Sequence, residues 1–268
     1  MDMADAEPPG LRAAIDDERR DLLELLAALT DEDWLRPAVG HWSARDVALH
    51  LLDDDLGCLS RERDGDLTSL IPMDVAHRDF VRALDEKNQR WVDTARGLSR
   101  RVVRDLLAWS GAQVAAYYDG LDPGGSSAVS WAGGRVPRWL GIGRDVTERW
   151  VHQQQIRQAV HRPGEHARHL PIVLAIFVWA FPHQLDVPAA DGTTVGVTLG
   201  DRQWLLVRRD DAWVLEDGAA VHAAATIEMD ADTAWRQLTG ATVRSEAVRV
   251  AGPPPFADAL RDVRGIIV

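Results

Sequence analysis

The sequence predicts a mainly α chain with a C-terminal α+β domain, built as a four-helix bundle followed by a smaller mixed domain. Three observations carry that prediction. From Leu11 to about Val160 the apolar residues recur at helical spacing. From Thr193 to Met229 the texture changes to short runs of Val, Thr, Leu and Trp between Asp/Gly turns, the pattern of strands. The length, 268 residues, suits two domains with cores of their own. The expected division is 1–165 for the bundle and 166–268 for the α+β domain.

The elements follow in chain order. Leu11 to Leu29 reads as a helix with Ile15, Leu22, Leu23, Leu26 and Leu29 on its apolar side, ended by Thr30-Asp31. A second helix starts at Ser43, whose hydroxyl can cap the Asp46 N–H while the Asp46 carboxylate answers, a capping box; it is expected to reach about Arg63. Asp74 to Arg96 and Arg100 to Tyr118 are helical, separated by Gly97-Leu98-Ser99. Asp122 to Pro137, rich in Gly and Ser, reads as a loop. A long helix from Arg138 to Val160 completes the bundle: four principal helices and an inserted one.

In the second part, Leu170 to Leu185 reads as one buried helix with Pro171 in its first turn. Strands are expected at Thr194–Leu199, Gln203–Arg208, Ala212–Leu215 and Ala224–Met229, then a capped helix from Asp230 to Leu238. A Gly252-Pro253-Pro254-Pro255 turn leads to a final helix over Phe256–Val263. No internal repeat is visible.

Composition narrows the function. The net charge of −12 argues against a nucleic-acid or anionic-membrane surface, which needs a basic footprint. With Cys58 as the single cysteine, neither an intrachain disulfide nor a Cys-rich metal site can form, so any metal must sit on His, Asp or Glu. Arginine supplies every basic residue except Lys87, a bias typical of GC-rich genomes. Met1 to Pro9 is acidic and does not resemble an export signal, and the longest apolar run, Ile172 to Phe181, is about half the ~20 residues of a membrane span. A cytoplasmic protein is expected.

The informative pair is Glu148 and His152, four apart and so one turn apart on one side of a helix, a spacing that lets two side chains bind one ion. His50, inside the apolar Val47–Leu52 stretch, is the candidate third ligand. Three N/O ligands with an open position is the pattern of a catalytic zinc site. Such a pair is equally at home on a solvated helix, and Glu148 and His152 lie off the Trp139, Ile142, Val146, Trp150 stripe. Either they face solvent or the helix is covered on two sides.

Trp42-Ser43-Ala44-Arg45-Asp46-Val47-Ala48-Leu49-His50-Leu51 resembles the Trp-(Ser/Thr)-x-x-Asp-Val-x-x-His-Leu motif of the DinB-like superfamily. Glu148-Arg149-Trp150-Val151-His152-Gln153-Gln154-Gln155-Ile156-Arg157 is similar to the Glu-x-Trp-x-His-x-x-Asp-Ile-Arg motif of its mycothiol-dependent maleylpyruvate isomerase branch. The resemblance implies a DinB-like bundle followed by a small sterol-carrier-like α+β domain, and family metal ligands at His50, Glu148 and His152. It implies a divalent metal, with Zn2+ favoured, and a low-molecular-weight thiol, mycothiol, as cosubstrate and nucleophile toward an electrophilic small molecule. It places Gln155 and Arg157 as candidate cosubstrate-binding residues.

Two departures stand out. Gln155 replaces the family aspartate, and Leu238-Thr239-Gly240-Ala241 lacks the arginine of the family's Leu-Thr-Gly-Arg pattern, for which Arg244 is a candidate substitute. Asp54, one turn after His50, is a candidate for orienting that ligand, although the Asp53-Asp54-Asp55 run also suits a solvated face. Cys58 reads as a packing residue. His161, His166 and His169 read as exposed linker residues, and Arg202, Arg208 and Arg209 as either anion-binding or strand-solubilising groups. Tyr117, Tyr118, Trp131 and Trp139 read as pocket-lining or core. The expected activity is thiol S-transfer or cis–trans isomerisation. The alternatives are a tailoring or detoxifying enzyme of the same fold, or a non-catalytic metal- or small-ligand-binding protein.

Overall fold

A computed structural model describes residues 7–68, 70–71, 77–162 and 168–265. The expected Asp74 start of the third helix, His166 and the Pro163-Gly164 linker lie outside them. The described residues fall into two compact units, one within residues 12–122 and 148–162, the other within residues 7–11, 123–147 and 168–265. Beside the expected cut near residue 165, residues 123–147 therefore fold with the C-terminal unit.

The first unit contains helices α1 (Leu11–Ala28), α2 (Ala44–Cys58), α3 (His77–Ala95) and α4 (Arg100–Asp119), and the second part of α5 (Arg138–Ala159). Before α2 the chain forms a minimal antiparallel pair, β1 (Pro37–Val39) with β2 (Trp42–Ser43). The capping box is present: Ser43 Oγ accepts from Asp46 N at 3.3 Å, and Asp46 Oδ2 accepts from Ser43 N at 3.0 Å. Burial alone would raise the Asp46 pKa, but hydrogen bonds from Arg96 Nε and from Ser43 hold it below the ordinary carboxylate value. Every residue from Asp46 to Leu52 is buried, which makes α2 the central helix, packed against α3 and α4. The core around it includes Leu22, Leu26, Trp34, Trp42, Val103 and Ile156. A π-helical turn, Leu59–Arg63, extends α2 to the predicted end.

The Asp53-Asp54-Asp55 run corrects the reading of a solvated face. Asp55 is only 1% exposed and accepts from three other helices: Arg149 of α5, Arg19 of α1 (Nη1 to Oδ1, 3.1 Å) and Ser110 of α4 (Oγ to Oδ2, 2.7 Å). Asp53 pairs with Lys87 of α3.

The second unit holds a five-stranded sheet of order β7-β6-β5-β8-β9. Its strands are β5 (Thr194–Leu199), β6 (Arg202–Arg209), β7 (Ala212–Asp217), β8 (Ala225–Met229) and β9 (Arg249–Ala251). β5 and β8 run parallel and all other neighbours antiparallel. Alternation drives the sheet: Val195, Val197 and Leu199, then Ala225, Ile227 and Met229, face the core at period two. Helix α8 (Ala231–Leu238) is capped by Asp230, which accepts from Thr233 N at 2.8 Å, and α9 (Pro254–Asp262) closes the chain with prolines in its first turn. β9 escaped the sequence reading because three residues show no periodicity.

Two further expectations change. Residues 122–137 are not a loop: β3 (Ser126–Val129) pairs antiparallel with β4 (Gly133–Pro137), burying Val129, Trp131 and Val136. Gly133 takes φ +127°, a conformation open to glycine, so the residue that suggested a loop is what lets the hairpin turn. The expected Leu170–Leu185 helix is two, α6 (Leu170–Phe177) and α7 (Ala180–Gln184). Pro182 has no N–H for the Val178 carbonyl and its ring would clash there, so the first helix stops beforehand.

Removing the carboxylate in Asp55→Ala takes away the buried acceptor that Arg149, Arg19 and Ser110 share. A loss of about 3–5 kcal/mol in urea unfolding is expected, whereas Asp53→Ala at the partly exposed Lys87 pair is expected to cost under about 1 kcal/mol.

Candidate metal centre

Two helices position the site. The Ser43 cap sets where α2 begins, and His50 follows two turns later on its buried run. α5 carries Glu148 and His152 one turn apart, and it is buried without interruption from Asp145 to Gln154. Of the two options left by the helical wheel, the helix is therefore the one covered on more than one side, and Glu148 and His152 face the interior.

The structure brings His50, Glu148 and His152 together, all buried, with one ligand atom of each within 4.8 Å of the others. Nε2 of His152 lies 3.5 Å from Glu148 Oε2, and Nε2 of His50 lies 4.0 Å from the same oxygen. The two imidazoles meet edge to face, with centroids 4.9 Å apart and planes at 80°. Neither imidazole Nε2 has a hydrogen-bond partner among the described residues. Three donors around an ion at about 2.0–2.1 Å in a tetrahedron stand roughly 3.4 Å apart. The 3.5 Å separation matches that spacing and the 4.0 Å one is wider, and buried ring nitrogens left without partners are what a bound cation would satisfy.

The electrostatics agree. Burial lowers the His50 pKa, but the carboxylate of Asp54, then those of Glu148 and Asp53, outweigh it and raise the pKa above its usual value. The same negative field that favours a proton favours a metal cation. Asp54 acts through this field: it makes no hydrogen bond to His50, and its Oδ2 is buried without a partner. The expected orienting bond is not formed.

The remaining candidates divide. Gln155 lies at the site, with Oε1 2.7 Å from His152 Nδ1. Arg157 does not: its Nε and one Nη donate to Gln153 Oε1 at 3.1 and 2.7 Å, and Gln153 in turn donates to Glu18 at 2.7 Å. Arg244 belongs to the other unit, exposed on a cavity of about 710 Å3 shared with Leu174, Leu199, Met229, Arg202 and Arg249. Cys58 is buried, with Sγ 3.8 Å from Tyr118 Oη, and is a packing residue as expected. Trp131, Trp139 and Tyr118 are core, while Tyr117 bonds the Glu62 carbonyl from the surface. Arg202, Arg208 and Arg209 pair with Asp217, Asp211 and Glu216 on the sheet. His161 is exposed, but His169 is buried at the start of α6, which corrects its reading as a linker residue.

The residue reading missed Trp42 as a wall of the site. Its ring packs on His50 at 5.2 Å and its indole N–H donates to Gln89 Oε1 at 2.8 Å. Trp42 heads the first motif, which is the signal that marks it.

Comparison with known proteins matches residues 15–157 to the mycothiol maleylpyruvate isomerase N-terminal domain. The chain belongs to that family. Two solved structures share the fold: the mycothiol-dependent maleylpyruvate isomerase and a histidine-to-alanine mutant of it. Each has a TM-score of 0.55 at 11% identity, covering 92% of this chain and 94% of that one. No curated protein matches the sequence. Family and fold together bear out the DinB-like bundle with an α+β partner and make the chain an enzyme of that family's kind. No helix among the described residues is long and apolar enough to cross a membrane.

With its pKa raised above the ordinary 6.5, a protonated His50 stabilises the metal-free fold fully below that value, and the contribution is lost as pH rises through the folded-state pKa. Chelator-treated protein is therefore expected to lose stability relative to His50→Gln as the pH rises from below 6.5 through the raised folded-state value, read by urea unfolding at each pH; parallel profiles would contradict the assignment.

Proposed function

We propose that the protein is a metal-dependent enzyme that uses mycothiol or a similar low-molecular-weight thiol as nucleophile toward an electrophilic small molecule. The observation that carries this reading is the buried set of His50, Glu148 and His152, whose donor atoms converge while both imidazole Nε2 atoms lack partners. Zn2+ is the favoured ion, since two imidazoles and one carboxylate with an open position suit it. When bound, such an ion supplies Lewis acidity that lets a coordinated thiol lose its proton near neutral pH.

The chain's own residues do the rest. His50, Glu148 and His152 hold the ion, and Trp42 screens the His50 side from water. Arg157 has one Nη not engaged by Gln153 and is assigned to the polar body of the thiol. Arg244, with no acidic partner among the described residues, is the candidate anion-binding group of the cavity within the α+β unit. Addition of the thiolate to an activated alkene carbon turns the double bond into a single bond about which the adduct rotates. Elimination then returns the thiol and gives the isomer, whereas release of the adduct after protonation gives S-transfer. The two outcomes differ in thiol consumed, none or one per turnover. The cavity beneath Arg244 also supports a second reading, a small-ligand-binding role for the α+β unit.

Purified protein is expected to carry about one divalent ion per chain and to bind mycothiol only when metal-loaded. His50→Ala and His152→Ala are each expected to remove both properties while far-UV circular dichroism retains the helical signal. A protein that binds no metal, or whose thiol binding ignores both substitutions, would sink the catalytic reading. Counting free thiol during turnover of maleylpyruvate and other activated alkenes then separates isomerase from transferase.

A further inference from the structure

We propose that Gln155 is a positioning residue that holds His152 in the tautomer whose Nε2 lone pair faces Glu148, and thereby sets how tightly the centre grips its ion. The inference rests on the metal reading above and goes beyond it by assigning the affinity to a residue outside the ligand set.

Gln155 stands three residues after His152 on α5, so the two side chains are neighbours by helical geometry alone. Its Oε1 lies 2.7 Å from His152 Nδ1, a full hydrogen bond. A neutral imidazole has one N–H and one lone pair. With the N–H on Nδ1 it has an acceptor in Gln155 Oε1, and the lone pair falls on Nε2. The reverse tautomer would set the bare Nδ1 lone pair against Gln155 Oε1 at 2.7 Å, two acceptors in repulsion, while its Nε2–H would stand 3.5 Å from Glu148 Oε2. The bond to Gln155 therefore selects the ligating form.

The two imidazoles differ in this respect. Both nitrogens of His50 lack partners, and its ring is held by packing against Trp42 and His152. Among the described residues, Gln155 is thus the hydrogen-bonding group that orients an imidazole of the triad. Its amide is also neutral. A carboxylate accepting the same N–H would make Nε2 a stronger donor, whereas an apolar side chain would leave the ring free to flip and its Nδ1–H unpaired. The affinity should therefore rank Glu above Gln above Leu at this position, an order that side-chain packing does not produce.

The test measures Zn2+ and Co2+ affinity by competition with a chromophoric chelator for wild type, Gln155→Leu and Gln155→Glu, together with the visible spectrum of the Co2+ forms and melting of the metal-free proteins. Gln155→Leu is expected to bind about 10–100-fold more weakly with altered Co2+ bands. Gln155→Glu is expected to bind at least as tightly as wild type with its band pattern kept, and the lost hydrogen bond should lower metal-free melting of Gln155→Leu by only a few degrees. If Gln155→Leu does not fold, Gln155→Glu carries the test, and weaker binding there overturns the proposal. Wild-type affinity and spectrum in Gln155→Leu overturn it alone. A wild-type protein that binds neither ion overturns the metal reading and this inference with it.

Discussion

The buried carboxylate of Asp55 is the constraint on which the bundle depends. Helices that meet through apolar side chains can slide or rotate at modest cost, because hydrophobic contact is not directional. A charge at 1% exposure permits no such freedom: Arg149, Arg19 and Ser110 must each arrive with a donor, from three different helices. Replacing such a cluster by apolar residues can be neutral or stabilising in other proteins, so its value here is register rather than raw stability. Asp55 lies five residues beyond His50, about 7.5 Å along the axis, and Arg149 adjoins Glu148. Locking Asp55 to Arg149 therefore fixes the height at which His50 meets Glu148 and His152.

That register would be useless without the charge arrangement around it. Four of the carboxylates on the two helices that build the site, Asp53, Asp54, Asp55 and Glu148, are treated differently. Asp55 is neutralised by arginine and Asp53 by the chain's single lysine. Asp54, then Glu148 and, despite its lysine, Asp53 bear on His50, where their field prevails over burial. That negative field falls on one of the three converging donors.

The legible part of the sequence was the part governed by local rules. The Ser43–Asp46 capping box, the periodicity of α1 to α5, and the strands β5 to β8 follow from hydrogen bonds and side-chain alternation within a few residues. The triad was legible in its parts, since Glu148 and His152 share a turn, but their direction was not: the wheel marked them off the apolar stripe of a helix that is in fact buried all round. Asp55 was misread because an isolated run of three aspartates has no local sign of arginines 36 and 94 residues away. The β3–β4 hairpin was hidden for the opposite reason. Its glycines and serines signal a turn correctly, and only the burial of Val129, Trp131 and Val136 shows that the flanking residues pair.

The position of Cys58 closes the argument about where a reactive sulfur comes from. It sits on the same helix as His50, but its Sγ is buried beside the Tyr118 hydroxyl. That contact with α4 makes it a packing group rather than an accessible nucleophile. The triad has the opposite properties: a negative field and partner-free nitrogens that call for a cation, which in turn can stabilise a thiolate brought from solution. Within one helix the protein thus keeps its own sulfur inert as packing and builds, two turns away, a place that suits someone else's.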